Sequence, residues 1–86
     1  MPYIDPESRK SVPALETHAK TAGELNYEVT TLVDAWIAAH GGVTYANLNA
    51  VIGVLECAKL ELYRRIAAPY EDMKRTINGD VYEVRR

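Results

Sequence analysis

The stretch "TAGELNYEVTTLVDAWIAAHGG", residues 21–42, decides the fold. Leu25, Val29, Leu32, Val33, Trp36 and Ile37 recur at three- and four-residue steps, which gives a helix one apolar side. Thr21 and Glu24 have capping-box spacing, so each side chain can satisfy a backbone donor left open by the first turn. Gly41 and Gly42 follow the last periodic residue, where helices commonly end in left-handed backbone. The pattern predicts a helix over residues 22–39.

Downstream, "TYANLNAVIGVLECAKLELYRRIAA" (44–68) predicts a longer helix with Thr44 as its N-cap. Tyr45, Leu48, Ile52, Leu55, Leu62 and Ile66 form its apolar stripe, interrupted by Lys59. Gly53 is small enough to let another helix come close. Pro69 has no N–H for the carbonyl four residues back, so it should kink or break the helix. Proline suits a first turn, and "PYEDMKRTI" should restart there, with Glu71 and Asp72 near the positive helix end. Asn78-Gly79 ends this segment, and "DVYEVRR" reads as an extended tail or short strand.

Upstream, Asp5 and Pro6 suit an N-cap and a first helical residue, predicting a turn of helix over 6–10. Pro13 can restart a helix carrying Leu15 and reaching Lys20. The expectation is one all-α domain over residues 1–86. It comprises an N-terminal helical segment (1–20), a helix (21–40), a long helix broken near Pro69 (44–77) and an extended tail (78–86). The two main helices, joined by a short glycine turn, should pair antiparallel. A hairpin of this kind buries little by itself, and its outer apolar surface invites a second copy.

At 86 residues, a chain this short often adds disulfides, metal or association to a thin core. Cys57 is the only cysteine, which removes an internal disulfide. His18 and His40 lie in different segments without a cysteine cluster, which argues against metal. Homo-oligomerisation is the remaining option. A net charge of -2 gives no footprint for duplex nucleic acid. No apolar run is long enough for a membrane span. "MPYIDPESRK" has no basic region followed by an apolar stretch, so the expected address is the cytoplasm.

Catalysis finds little support. Cys57 sits beside Ala58 in a helical pattern, where a small buried hydrophobe is the commoner role than a nucleophile paired with histidine. Ser8 and Ser11 lack a strained elbow, and Gly41-Gly42 lacks the lysine and Ser/Thr of a phosphate loop. Magnesium-dependent hydrolysis of nucleotides would need carboxylates converging on a hard cation. Glu56 and Glu61 instead diverge by about 140° around a helix, and the adjacent Glu71 and Asp72 also diverge. No catalytic residue, metal or cofactor is expected.

The candidate binding residues begin with Glu56, Lys59 and Tyr63, whose spacing puts them on one side of the helix, with Tyr70 extending the line. One reading is a surface ion pair with a snorkelling lysine. The other is a partly buried polar cluster that binds a ligand or a second subunit. Arg64 and Arg65 point about 100° apart. They either complement the negative helix end before Pro69 or bind phosphate through their guanidinium forks. Six tyrosines against no phenylalanine favour rings with a polar tip, which can also stack on a base.

The segments "GELNY" (23–27), "IGVLECAKLELYRRIAAPYED" (52–72) and "NGDVY" (78–82) resemble a family of small uncharacterised proteins from bacteriophage, bacterial and archaeal genomes. The similarity runs over residues 2–82, with departures at 8–22 and in the closing "EVRR". The resemblance implies a phage or prokaryotic cytoplasmic setting and supplies no activity. It places the family's recurrent polar positions on Glu56, Lys59, Tyr63, Arg64, Arg65, Tyr70, Glu71, Asp72, Asn78, Asp80 and Tyr82. In size and helical content the chain is also similar to small phage proteins that assemble and sequester cyclic-nucleotide immune signals. That analogy would give Arg64 or Arg65 the phosphates and Tyr63, Tyr70 or Tyr82 the bases, at a subunit interface.

The functional expectation is therefore a non-enzymatic oligomer that captures a small anionic ligand, with the cyclic-nucleotide sponge as its most specific form. Its candidate ligand residues are Glu56, Lys59, Tyr63, Arg64, Arg65, Tyr70, Asn78, Asp80 and Tyr82. The alternative is a structural or protein-interaction module in which the polar residues fix the register of a helical oligomer.

Overall fold

A computed structural model describes residues 2–13 and 15–84 of the chain. The first three helices each begin where a side chain satisfies an open backbone donor. Asp5 caps α1 (Pro6–Arg9), accepting from the Ser8 N–H at 2.8 Å. Thr21 caps α2 (Ala22–Ala39), accepting from the Glu24 N–H at 3.1 Å. Its hydroxyl donates to the Glu24 carboxylate at 3.2 Å, so the capping pair closes between side chains. Thr44 caps α3 (Tyr45–Leu62), accepting from the Asn47 N–H at 3.1 Å. The fold is all-α, with no strand among the described residues.

The α2–α3 turn is held from both sides. Gly41 and Gly42 take φ values of +98° and +89°, a region in which other L residues are strained. The Gly42 N–H donates back to the Ile37 carbonyl at 2.9 Å. Asn47 then reaches back from the first turn of α3, its amide donating to the carbonyls of His40 and Gly42, each at 2.9 Å. His40 stacks on Trp36 with ring centroids 4.0 Å apart and places Nδ1 2.7 Å from the Trp36 carbonyl oxygen.

α2 and α3 have 18 residues each, and Leu55 lines the same groove as Val29. That is the register expected of an antiparallel pair folded at residues 40–44. Val51, the one buried hydrophobic residue among those described, belongs to this pair, and Val33 and Ile37 are half-buried.

After Leu62 the helix does not stop. Residues Tyr63–Ala67 form a π turn, in which the Ala68 N–H reaches the Tyr63 carbonyl five residues back, and α4 follows over Ala68–Asn78. Pro69 supplies the reason. It has no N–H to give, and in a regular α-helix its ring would press on the Arg65 carbonyl. A wider turn before it relieves that clash while keeping the helical path. The interruption expected near Pro69 thus takes the form of an extra residue in a turn. α4 ends at Gly79, with φ +86°, and the tail over 79–84 is non-helical and forms no strand. Residues 85 and 86 of the expected tail lie outside the described residues.

Two expectations are corrected. The N-terminal segment is helical only over Pro6–Arg9, and residues 15–20 run without helix. "LETHAK" offers only Leu15 and Ala19 to an apolar face, too little to hold so short a helix. Gly53 marks no close helix approach within the chain, since a Cβ built there would meet nothing within 4 Å. The non-helical N-terminal segment is tethered instead by side chains. Tyr3 bonds to Glu61, and Thr17 donates to Glu28 at 2.6 Å.

These elements leave the chain long and open. α4 touches no helix except the π turn it follows. The radius of gyration is 17.5 Å, against about 12 Å for a compact domain of this length. The accessible surface is 8078 Å², whereas a compact chain of 9.6 kDa would expose roughly 5,100 Å².

Candidate functional site

Glu56 and Lys59, one turn apart on α3, form an ion pair at 3.1 Å. Both side chains are more than half exposed, as is Tyr63. The surface-pair reading therefore describes them, and the partly buried polar cluster does not form within one chain. A pair this exposed contributes a few tenths of a kcal/mol.

The better-built polar group lies on the other side of the same helix end. Arg64 donates to both oxygens of Glu61, at 3.2 and 2.9 Å, and the Tyr3 hydroxyl donates to Glu61 Oε2 at 2.6 Å. Glu61 is one-fifth exposed in its side chain. Its hydrogen bond from Arg64, then that from Tyr3, hold its carboxyl below the usual glutamate range, while the same carboxylate raises the Arg64 guanidinium. Arg64 is thus committed to an internal carboxylate. Among the described residues, Arg65 has no carboxylate within 4.0 Å.

The remaining candidates lie further along. Tyr70, on α4, is more than half exposed, and the Lys74 ammonium stands 5.7 Å from its ring centroid. Asn78 is the last residue of α4. Beyond it, Asp80 Oδ1 accepts from the Tyr82 N–H at 3.0 Å, closing an Asx turn with the Tyr82 ring in solvent. At 1.5 Å per residue, Glu56 and Asn78 are separated by about 33 Å of helix. The structure therefore strings these candidates along the helix from Glu56 to Asn78 and into the tail beyond it. It does not gather Glu56, Lys59, Tyr63, Arg65, Tyr70, Asn78, Asp80 and Tyr82 into one pocket.

Asp80 and Tyr82 do share a shallow polar hollow of the tail with Glu83 and Val84; an apolar one lies elsewhere. Ala22, Leu25, Asn26, Val29, Thr30 and Val33 of α2, with Leu55 of α3, line an open groove of about 510 Å³. Sequence reading assigned these residues to a helix stripe facing its neighbour. It expected the hairpin to leave an outer apolar surface, but did not place that surface as a groove along α2. It also missed Tyr3, Asn47 and Glu61. Cys57 is a free, half-buried thiol, and among the described residues no three His, Cys, Asp or Glu side chains converge as metal ligands. Among the described residues, no helix is long and apolar enough to cross a membrane.

Residues 1–81 match the family described as Domain of unknown function (DUF6899). The chain belongs to that family. No curated protein and no solved structure matches the chain. Family membership agrees with the resemblance to an uncharacterised family and brings no activity with it.

Proposed function

We propose that the protein is a self-associating helical module, a homo-oligomer that works by binding and not by catalysis. The observation that carries this reading is the excess surface: 8078 Å² against roughly 5,100 Å² for a compact chain of this mass. Much apolar helical surface is open in the single chain. Leu25, Leu32, Ile52, Leu62, Ile66, Met73 and Ile77 are all exposed in the single chain. Isolated helices are marginal in water, and most helix stability in proteins comes from burying such faces. One association event that covers them supplies what the chain lacks. Sedimentation equilibrium between about 1 and 100 µM is the test, with melting followed over the same range. Association with a melting temperature that rises with concentration is expected. A monomer that melts cooperatively and independently of concentration would overturn the reading.

Arg65 favours a second reading that builds on the first. It is a guanidinium without an internal carboxylate among the described residues, two residues after the exposed Tyr63 and five before the exposed Tyr70. In an oligomer, such groups from two copies could converge on a small anion that neither copy holds alone. The most specific form of this reading is a phage-encoded sponge that sequesters a cyclic-nucleotide signal in the host cytoplasm. It calls for thermal shifts with cyclic di- and trinucleotides, a gain in melting temperature being expected, and that gain being lost in Arg65→Ala. The absence of a shift across the panel would dismiss the ligand and leave the association reading standing.

A further inference from the structure

The 18 residues of α3 match the 18 of α2, so the π turn and α4 project beyond the open end of the hairpin as an arm of residues 63–78. Beyond the π turn, α4 meets no other helix among the described residues. Yet the arm carries an apolar stripe, Ile66, Tyr70, Met73 and Ile77, at three- and four-residue steps, and every member is at least half exposed. The hairpin has the converse feature, the open apolar groove along α2.

We infer that two chains exchange these arms, the stripe of each arm lying in the α2 groove of the other copy. The inference rests on the self-association proposed above and names its contact surfaces. Three observations select this occupant. The first is length. Ile66 to Ile77 and Ala22 to Val33 each span about 17 Å of helix, so the stripe fills the groove from end to end. The second is charge. α2 carries Glu24, Glu28 and Asp34 and no Lys or Arg, whereas the arm carries Arg64, Arg65, Lys74 and Arg75 against Glu71 and Asp72. An acidic helix beside the groove meets a basic arm, and complementary charge of this kind sets orientation and suppresses wrong pairings. The third is area. Each chain has roughly 3,000 Å² of surface beyond that of a compact monomer, about 6,000 Å² for two, and an obligate pair covers about 2,000–5,000 Å² or more in total. A single reciprocal exchange at the upper end of that range covers most of it. It also closes, because each groove is filled by the arm of the chain whose groove it fills.

Cross-linking between distinguishable chains tests the inference. In a Cys57→Ser background, one chain carries Val29→Cys and the other Met73→Cys. The two are unfolded and refolded together, then oxidised. The mixed disulfide is expected in at least about tenfold excess over either like-with-like product, beyond the statistical ratio. Sedimentation of the same sample separates the possible failures. Association with Val29→Cys chains linking mainly to one another would mean that the grooves face each other, which overturns arm exchange and leaves self-association intact. Association without any link at these positions would do the same. A monomer would overturn both.

If the cysteine variants refold poorly, Met73→Asp and Val54→Asp in the unaltered chain give an independent reading. Met73 lies on the arm stripe, whereas Val54 is exposed on α3 about 100° from the Leu48–Leu55–Leu62 line. Met73→Asp should raise the dissociation constant at least about 100-fold and Val54→Asp less than about threefold. Equal weakening by both would overturn the exchange.

Discussion

The turn between α2 and α3 and the arm after the π turn are helix-end structures of one chain, completed in opposite ways. The turn is satisfied where it stands. Two positive-φ glycines reverse the chain, Asn47 donates to two carbonyls across the reversal, and the Trp36–His40 stack covers the last turn of α2. The arm satisfies its backbone internally, as any helix does, but no other helix among the described residues covers the apolar stripe of α4. Backbone hydrogen bonds and caps are settled over a few residues, so the turn is specified locally. Burial of an apolar stripe needs a second surface, and this chain does not offer the arm one.

The difference can be broken at the arm more severely than at the turn. Pro69→Ala gives the helix back an N–H and removes the ring that presses on the Arg65 carbonyl. The π turn should then close into α-helix, losing one residue's worth of rotation, about 100°, between α3 and α4. Helicity by circular dichroism should rise slightly while the dissociation constant rises about 100-fold, because the arm stripe turns out of the groove. Asn47→Ala is the matched change at the turn. It removes two donated hydrogen bonds and should lower stability by about 1–2 kcal/mol, with the dissociation constant held within about threefold. If Asn47→Ala dissociated the oligomer as strongly as Pro69→Ala, turn and arm would not be separable in this way.

The same contrast explains what could be read from the sequence. The bounds of α2 and the starts of α2 and α3 follow from periodicity and from Thr21, Thr44, Gly41 and Gly42, which act within a turn of themselves. The Glu56–Lys59 pair was legible for the same reason, being one helical turn apart. At Pro69 the sequence shows a missing donor, but a chain break and a π turn both accommodate it, and local pattern does not choose between them. Residues 15–20 looked like a helical restart only because Pro13 permits one, and permission is not packing. Tyr3 and Glu61 lie 58 residues apart, and no periodic signal joins them. Whether Tyr63, Arg65, Tyr70 and Tyr82 share a site was illegible in a stronger sense. Within one chain they do not converge, so a shared site would need the second copy proposed above.

The smallest expected effect lies at the junction of the two regions, where the Tyr3–Glu61–Arg64 group ties the N-terminal segment to the base of the arm. Glu61 holds its proton less firmly in the folded chain than its ordinary value of about 4.5, chiefly through Arg64 and then through Tyr3. A carboxyl lowered on folding stabilises fully above the unfolded-state value, and that contribution disappears as pH falls through the folded-state value. Stability should therefore decline on acidification below about pH 4.5, and Glu61→Gln should flatten the part of the decline due to this group. At neutral pH the substitution should be mild, since Arg64 is mostly in solvent and gains little from the pair. Melting temperatures of both proteins from pH 7 down to pH 3 provide the measurement. Parallel curves would show that Glu61 titrates alike folded and unfolded, and that the N-terminal segment is not held at the arm's base through this carboxylate. Converging curves would place the tether there, on the hairpin side of the π turn, leaving the arm beyond it free to meet a second copy.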